Sequence, residues 1–144
     1  MKIEVRYQSR GGNTKAVAEI ISKEFNVQAH SIAIPLNGYT DILFLGGGVY
    51  EWRMDKSLHR FIENLDPNSV GQIVSFSTTG MMNSTINQIR QLAENKGIFV
   101  NQNELLLKMM LRGHSWLGLQ SGNFTEKHRA EIQSFTKKIK KDIS

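Results

Sequence analysis

The chain has 144 residues, 40% of them hydrophobic, with two prolines and no cysteine; this suits one globular domain over residues 1–144, argues against disorder, and excludes disulfides and a cysteine nucleophile. The formal net charge is +5, but no basic patch is interleaved with aromatic residues, so nucleic acid is not the expected partner. No apolar run reaches membrane-spanning length, and Met1 to Tyr7 alternates polar and apolar residues instead of forming a secretory signal, so the expected location is the cytoplasm, with no membrane association.

Strand and helix patterns alternate along the whole chain, which points to a parallel sheet covered by helices. The first strand is expected over Lys2 to Tyr7. A helix follows from Asn13 to Phe25, with Val17, Ile20, Ile21 and Phe25 on one side. The second strand falls at Val27 to Ala33 and the third at Asp41 to Leu45, ended by Gly46-Gly47-Gly48. Leu58, Phe61, Ile62 and Leu65 mark the buried stripe of the second helix, which Pro67 should stop.

The fourth strand is expected at Gln72 to Ser77. A third helix follows a cap at Asn83 or Ser84, carries Ile86, Ile89 and Leu92, and ends at Gly97. The fifth strand lies within Ile98 to Met110. A loop covers Leu111 to Asn123, and the last helix starts near Thr125 and buries Ile132, Phe135, Ile139 and Ile143. Lys137, Lys138, Lys140 and Lys141 read as a solvated face suited to a helix C-terminus.

The first strand poses a problem. It would be central in a doubly wound sheet, where strands are normally apolar on both faces, yet Lys2, Glu4 and Arg6 share one face. The connection from Ile34 to Thr40 is too short for a helix and must cross that face as coil. Glu4 and Arg6 are therefore expected near solvent.

Ligands of open parallel sheets bind beyond the carboxyl ends of the strands, at the switch point. With strand order 2-1-3-4-5, the loops after the first, third and fourth strands converge there. The first loop is Ser9-Arg10-Gly11-Gly12-Asn13-Thr14. Its glycines permit close backbone approach to an anion, the start of the helix supplies N–H groups and a favourable dipole, and Ser9, Asn13 and Thr14 add side-chain donors. It is neither a Walker loop nor a GxGxxG fingerprint. The second loop, Gly46 to Arg53, includes Gly48, Val49, Tyr50, Glu51 and Trp52, with two aromatics able to stack on a flat ligand. The third, Ser77-Thr78-Thr79-Gly80-Met81-Met82, offers hydroxyls, a close-approach glycine and pliable methionines. The four histidines show no metal-ligand spacing, and there is no Gly-x-Ser-x-Gly elbow.

On these residues the chain resembles the flavodoxin family, whose phosphate loop reads Thr/Ser-x-Thr-Gly-x-Thr directly after the first strand. Ser9, Gly12, Asn13 and Thr14 match, and Gly11 stands where the family has threonine. The resemblance covers nearly the whole chain in element order. It implies an open five-stranded parallel α/β sheet of order 2-1-3-4-5 with helices on both faces, and FMN as cofactor. The phosphate would lie at Ser9, Arg10, Gly11, Gly12, Asn13 and Thr14. The ring would lie at Gly48, Val49, Tyr50, Glu51 and Trp52, with Tyr50 or Trp52 stacking on it. The ring edge and ribityl chain would meet Ser77, Thr78, Thr79 and Gly80.

The implied role is an electron carrier with no catalytic residue of its own, working with redox partner proteins, a reductase and an acceptor, which the basic charge suits to be acidic. The competing reading is an FMN-dependent NAD(P)H/quinone or protoporphyrinogen-type oxidoreductase, against which the shortness of Leu111 to Asn123 counts. Flavodoxins tune their redox steps by a peptide flip in the second loop, usually eased by glycine. Val49 to Arg53 holds none, so a flip must use Gly47 or Gly48. The basic balance implies a second reduction potential less negative than in acidic members. The loop around Arg112 to Trp116 is expected on the flavin side of the sheet.

Overall fold

The computed structural model describes residues 1–48, 54–79, 84–108 and 126–143. Five strands form one parallel sheet: β1 (Ile3–Gln8), β2 (Ala29–Ser31), β3 (Thr40–Gly48), β4 (Val70–Thr79) and β5 (Leu105–Lys108). Their order is β2-β1-β3-β4-β5, as expected from the sequence, with every pairing parallel. Four helices connect and cover them: α1 (Asn13–Glu24), α2 (Lys56–Glu63), α3 (Ser84–Asn95) and α4 (Glu126–Ile143).

Residues opposite one another in a parallel ladder share a face. Val5, Phe44 and Val74 are opposite one another and point to the side of α1 and α4, where Val17, Ile21, Ile132, Phe135 and Ile139 close the core. Leu43 and Ile73 point the other way, towards α2 and α3, and meet Leu58, Ile62, Ile89 and Ala93. Both faces of β3 are therefore buried, which explains its nearly continuous apolar run.

Several boundaries differ from the periodic pattern. β2 is shorter than Val27 to Ala33, because the Val27 N–H bonds back to the Ser22 carbonyl at 3.0 Å and closes the end of α1. That closure uses Asn26 in the left-handed region, at φ 61°. Pro67 does not stop α2, which ends earlier, with Asn64 as its C-cap; Pro67 instead opens a short 3-10 turn capped by Asp66. Asn83 lies outside the described residues, and Ser84 is the first residue of α3. Gly97, at φ 84°, ends the turn that follows this helix, as the sequence suggests.

The larger correction concerns Gly46, Gly47 and Gly48, expected to end the third strand. All three are buried ladder residues of β3. A Cβ at Gly46 would lie 2.2 Å from the Phe76 ring, and one at Gly47 would lie 2.8 Å from Leu58. These glycines make room for a cross-strand aromatic ring and for the close docking of α2.

The polar face of β1 is covered by coil, as expected, but Arg6 is not near solvent: it is only 3% exposed. An irregular segment has no ladder to satisfy its carbonyls, and a guanidinium offers five donors. Arg6 Nε donates to the Ile34 carbonyl at 2.8 Å, Nη2 to the Pro35 carbonyl at 3.2 Å, and Nη1 to Glu4 Oε1 at 2.8 Å. The link folds down onto the arginine, and Glu4 stays half-buried beside it. Arg6→Ala would leave these acceptors unpaired, and we expect it to cost about 3 kcal/mol in urea unfolding. A loss below about 1 kcal/mol would mean that the link is held by something else.

Candidate functional site

The ladder register brings the strand ends together. Gln8 lies opposite Gly47, Gly47 opposite Ser77, and Gly48 opposite Thr78. The segments after β1, β3 and β4 therefore leave from one edge of the sheet. A hydroxyl–hydroxyl hydrogen bond of 2.7 Å between Thr14 and Thr78, fully inside the protein, ties the first turn of α1 to the end of β4. On the opposite face, Thr85 Oγ1 donates to the Gly48 carbonyl at 2.7 Å and ties α3 to the end of β3.

The first loop turns on Gly12, whose φ of 93° and ψ of −12° place it in the left-handed region, where a side chain is strained. The Ser9 hydroxyl accepts the Gly12 N–H at 3.0 Å and closes the turn. No side chain caps α1, and its first turn holds no acidic residue. Among the described residues, no side-chain anion meets the leading amides and the positive end of the helix dipole. The start of α2 differs: the Asp55 carboxylate accepts the Ser57 N–H at 2.8 Å.

Among the described residues, three buried polar atoms at this edge have no hydrogen-bond partner: Gln8 Oε1, Asn13 Oδ1 and Ser77 Oγ. Each such atom costs about 1–3 kcal/mol unless something binds it. Rotation of the Asn13 amide presents its NH2 group at the same place. A phosphate could accept from the rotated Asn13 amide and from the Ser77 hydroxyl, and a ligand hydroxyl or N–H could donate to Gln8 Oε1, so the residues present fit a flavin that carries a phosphate. Thr40 Oγ1 and Ser75 Oγ, deeper in the sheet, are also unpartnered, and nothing in the structure explains them. Among the described residues, a Cβ at Gly11, where the family carries threonine, would meet nothing within 4 Å.

The structure thus brings together Ser9, Arg10, Gly11, Gly12, Asn13 and Thr14 with the strand-end residues Gly48, Ser77 and Thr78. Thr79 is the last residue of β4. Val49, Tyr50, Glu51, Trp52 and Gly80 lie outside the described residues, as do Arg53, Met81, Met82 and the 111–123 loop with Arg112 to Trp116. Gly47 and Gly48 are both held in the ladder of β3, and the Gly48 carbonyl is bound by Thr85. A peptide flip at either would break these bonds.

Sequence reasoning missed Gln8, Asp55, Ser57 and Thr85. Only Asp55 left a local trace, as an aspartate two residues before a serine at a helix start. Its carboxylate also pairs with Arg10 Nη2 at 2.8 Å. A separate cavity of about 820 Å3 runs between the 31–38 link and α2, lined by Ile32, Leu36, Phe61 and Leu65. It touches the end of β1 at Gln8, the Ser9 to Thr14 loop at Ser9, and α2 at Ser57, Arg60 and Phe61.

The hydrogen bond from the Ser57 hydroxyl, then those from Arg10 and the Ser57 backbone, hold the Asp55 carboxyl below its ordinary value of 3.8, against the opposing effect of burial. A depressed folded-state pKa means that the Asp55 contribution is full above the unfolded value and is lost as pH falls through the folded one. Asparagine can still cap α2. Asp55→Asn should therefore be less stable than the parent near neutrality, and the gap in melting temperature should close as pH falls below the ordinary carboxyl value of 3.8. A gap that widens towards acid would contradict this assignment.

Comparison with known proteins agrees with the geometry. The family model for the flavodoxin domain matches residues 4–144. No curated protein matches the chain in sequence. Among solved structures, an archaeal flavodoxin superposes with a TM-score of 0.68 at 19% identity, over 97% of this chain and 99% of that one. A short-chain flavodoxin associated with a non-canonical PDU bacterial microcompartment gives 0.66 at 14% identity, over 100% of both. A flavoprotein from Lactobacillus acidophilus NCFM in complex with FMN gives 0.60 at 15% identity, over 83% of this chain and 98% of that one. At these identities the likeness is one of fold; the family match over nearly the full length establishes that the chain belongs to the flavodoxin family.

Proposed function

We propose that residues 1–144 act as one domain that binds FMN at the shared edge of β1, β3 and β4 and carries electrons between partner proteins. Family membership supports a flavin-binding, electron-transfer role, and one structural neighbour is a complex with FMN. The observation that carries the reading is the start of α1, without a side-chain cap among the described residues, behind a left-handed Gly12 and beside Asn13 Oδ1 and Ser77 Oγ, which have no described hydrogen-bond partner.

In this reading Ser9, Arg10, Gly11, Gly12, Asn13 and Thr14 form the phosphate end. The helix dipole and neutral donors there favour a dianion. Ser77, Thr78, Thr79 and Gly80 serve the ribityl chain and ring edge. Gly48, Val49, Tyr50, Glu51 and Trp52 flank the ring. When bound, the flavin supplies the one- and two-electron chemistry, and the protein supplies position, exclusion of water and electrostatics. No side chain is assigned as an acid, base or nucleophile. The net charge of +5 suits acidic partners, a reductase and an acceptor. Among the described residues no helix is long and apolar enough to cross a membrane, and the cytoplasm is the proposed location.

The test is a fluorescence titration of the flavin-free protein with FMN. The expected result is one equivalent bound. Gly12→Ala, strained at φ 93°, should weaken binding about five- to tenfold. Gly11→Thr enters open space and should bind at least as tightly as the parent. A protein that takes up no FMN would refute the reading. Sustained turnover of NADH with a quinone, without a separate reductase, would replace the carrier with an oxidoreductase.

A further inference from the structure

Arg10 sits in the middle of the phosphate loop, where its charge suggests a direct phosphate ligand. The structure directs it elsewhere. Its Nε and Nη2 both donate to Asp55 Oδ2, at 3.2 and 2.8 Å. The two residues are 45 positions apart in sequence, so the contact joins two separate elements. Asp55 is the fixed end. Its other oxygen accepts both the backbone N–H and the hydroxyl of Ser57. Met54 and Leu58, on either side, are buried in the core beneath α2. The loop is the less constrained end: a Cβ at Gly11 would meet no described residue within 4 Å, and Gly12 lies in the left-handed region.

The geometry points to Arg10 as a positioning residue: the Arg10–Asp55 pair is a strut that braces the phosphate loop against the start of α2, and the phosphate itself is left to the loop's neutral donors. This rests on the proposed FMN site. Two other described bonds hold the loop. The Ser9–Gly12 bond closes it on itself, and the Thr14–Thr78 bond fixes its far end to β4. Without Arg10, the segment before the two glycines would lose its only described tie to α2, and the leading amides of α1 would be less well aimed. Because Asp55 neutralises Arg10, the pair also adds little net charge to the site. The Arg10 side chain is 57% exposed, so solvent screens the pair and the effect should be modest.

The test compares FMN with riboflavin, which lacks the phosphate, in the parent protein, Arg10→Gln, Asp55→Asn and the double variant. Asparagine keeps the α2 cap and removes the charge. The strut predicts that each single variant weakens FMN by roughly three- to fivefold. Riboflavin affinity should hardly change, and the double variant should be no weaker than either single one. If Arg10 bound phosphate directly, Asp55→Asn would leave FMN unchanged or tighter while Arg10→Gln weakened it, and the proposal would fall. Equal losses for FMN and riboflavin would reduce the pair to a general stabilising contact, and no loss in either single variant would also overturn it. A parent protein that binds neither flavin would instead refute the site, and the strut with it.

Discussion

The buried hydrogen bond between the Thr14 and Thr78 hydroxyls is the contact on which the site depends. It joins the first turn of α1 to the end of β4 at 2.7 Å, across β3, which lies between β1 and β4 in the sheet. Both hydroxyls are shielded from water, so the bond holds its geometry better than a surface contact would. With the in-phase ends of β1, β3 and β4, it places the phosphate loop beside the strand-end residues of β4. Other contacts refine that placement: Ser9 closes the loop, Thr85 fixes the carbonyl of Gly48, and Arg10 reaches to Asp55.

The same edge carries polar atoms that the protein leaves unsatisfied. Burying Gln8 Oε1, Asn13 Oδ1 and Ser77 Oγ without a described partner gives up stability that a bound cofactor can return. Elsewhere a similar problem is solved internally. The coil over β1 has carbonyls without ladder partners, and Arg6 turns inward to serve two of them. The two places differ in outcome because Arg6 is a long, many-donor side chain with Glu4 beside it. At the strand ends the described neighbours are glycines and short hydroxyl residues, with no long donor side chain to serve these atoms.

Much of the architecture was legible because periodicity reports burial directly. Alternating strand and helix patterns pointed to a parallel sheet, the flavodoxin resemblance implied its strand order, and the Ser9 to Thr14 loop stood out by its glycines and donors. Glycine itself misled. Gly46 to Gly48 read as the end of a strand, yet they are absent side chains making way for Phe76 and Leu58. A single sequence cannot separate a glycine that turns the chain from one that lets a neighbour approach. Arg6 was misplaced for a related reason, since its partners are backbone carbonyls, which carry no residue signature. Asp55 was invisible as a partner of Arg10 because nothing local links positions so far apart. Part of the ring site, from Val49 to Trp52, lies outside the described residues, so its aromatic assignment still rests on family resemblance.

The central claim is that a phosphate group binds the leading amides of α1. It is tested most directly by following the backbone amide resonances while FMN and riboflavin are added in turn. The account predicts large shifts at Gly11, Gly12 and Asn13 with FMN and much smaller ones there with riboflavin, with Ser77 and Thr78 moving for both. Shifts confined instead to the cavity around Ile32, Leu36 and Phe61, with the first turn of α1 unmoved, would contradict it.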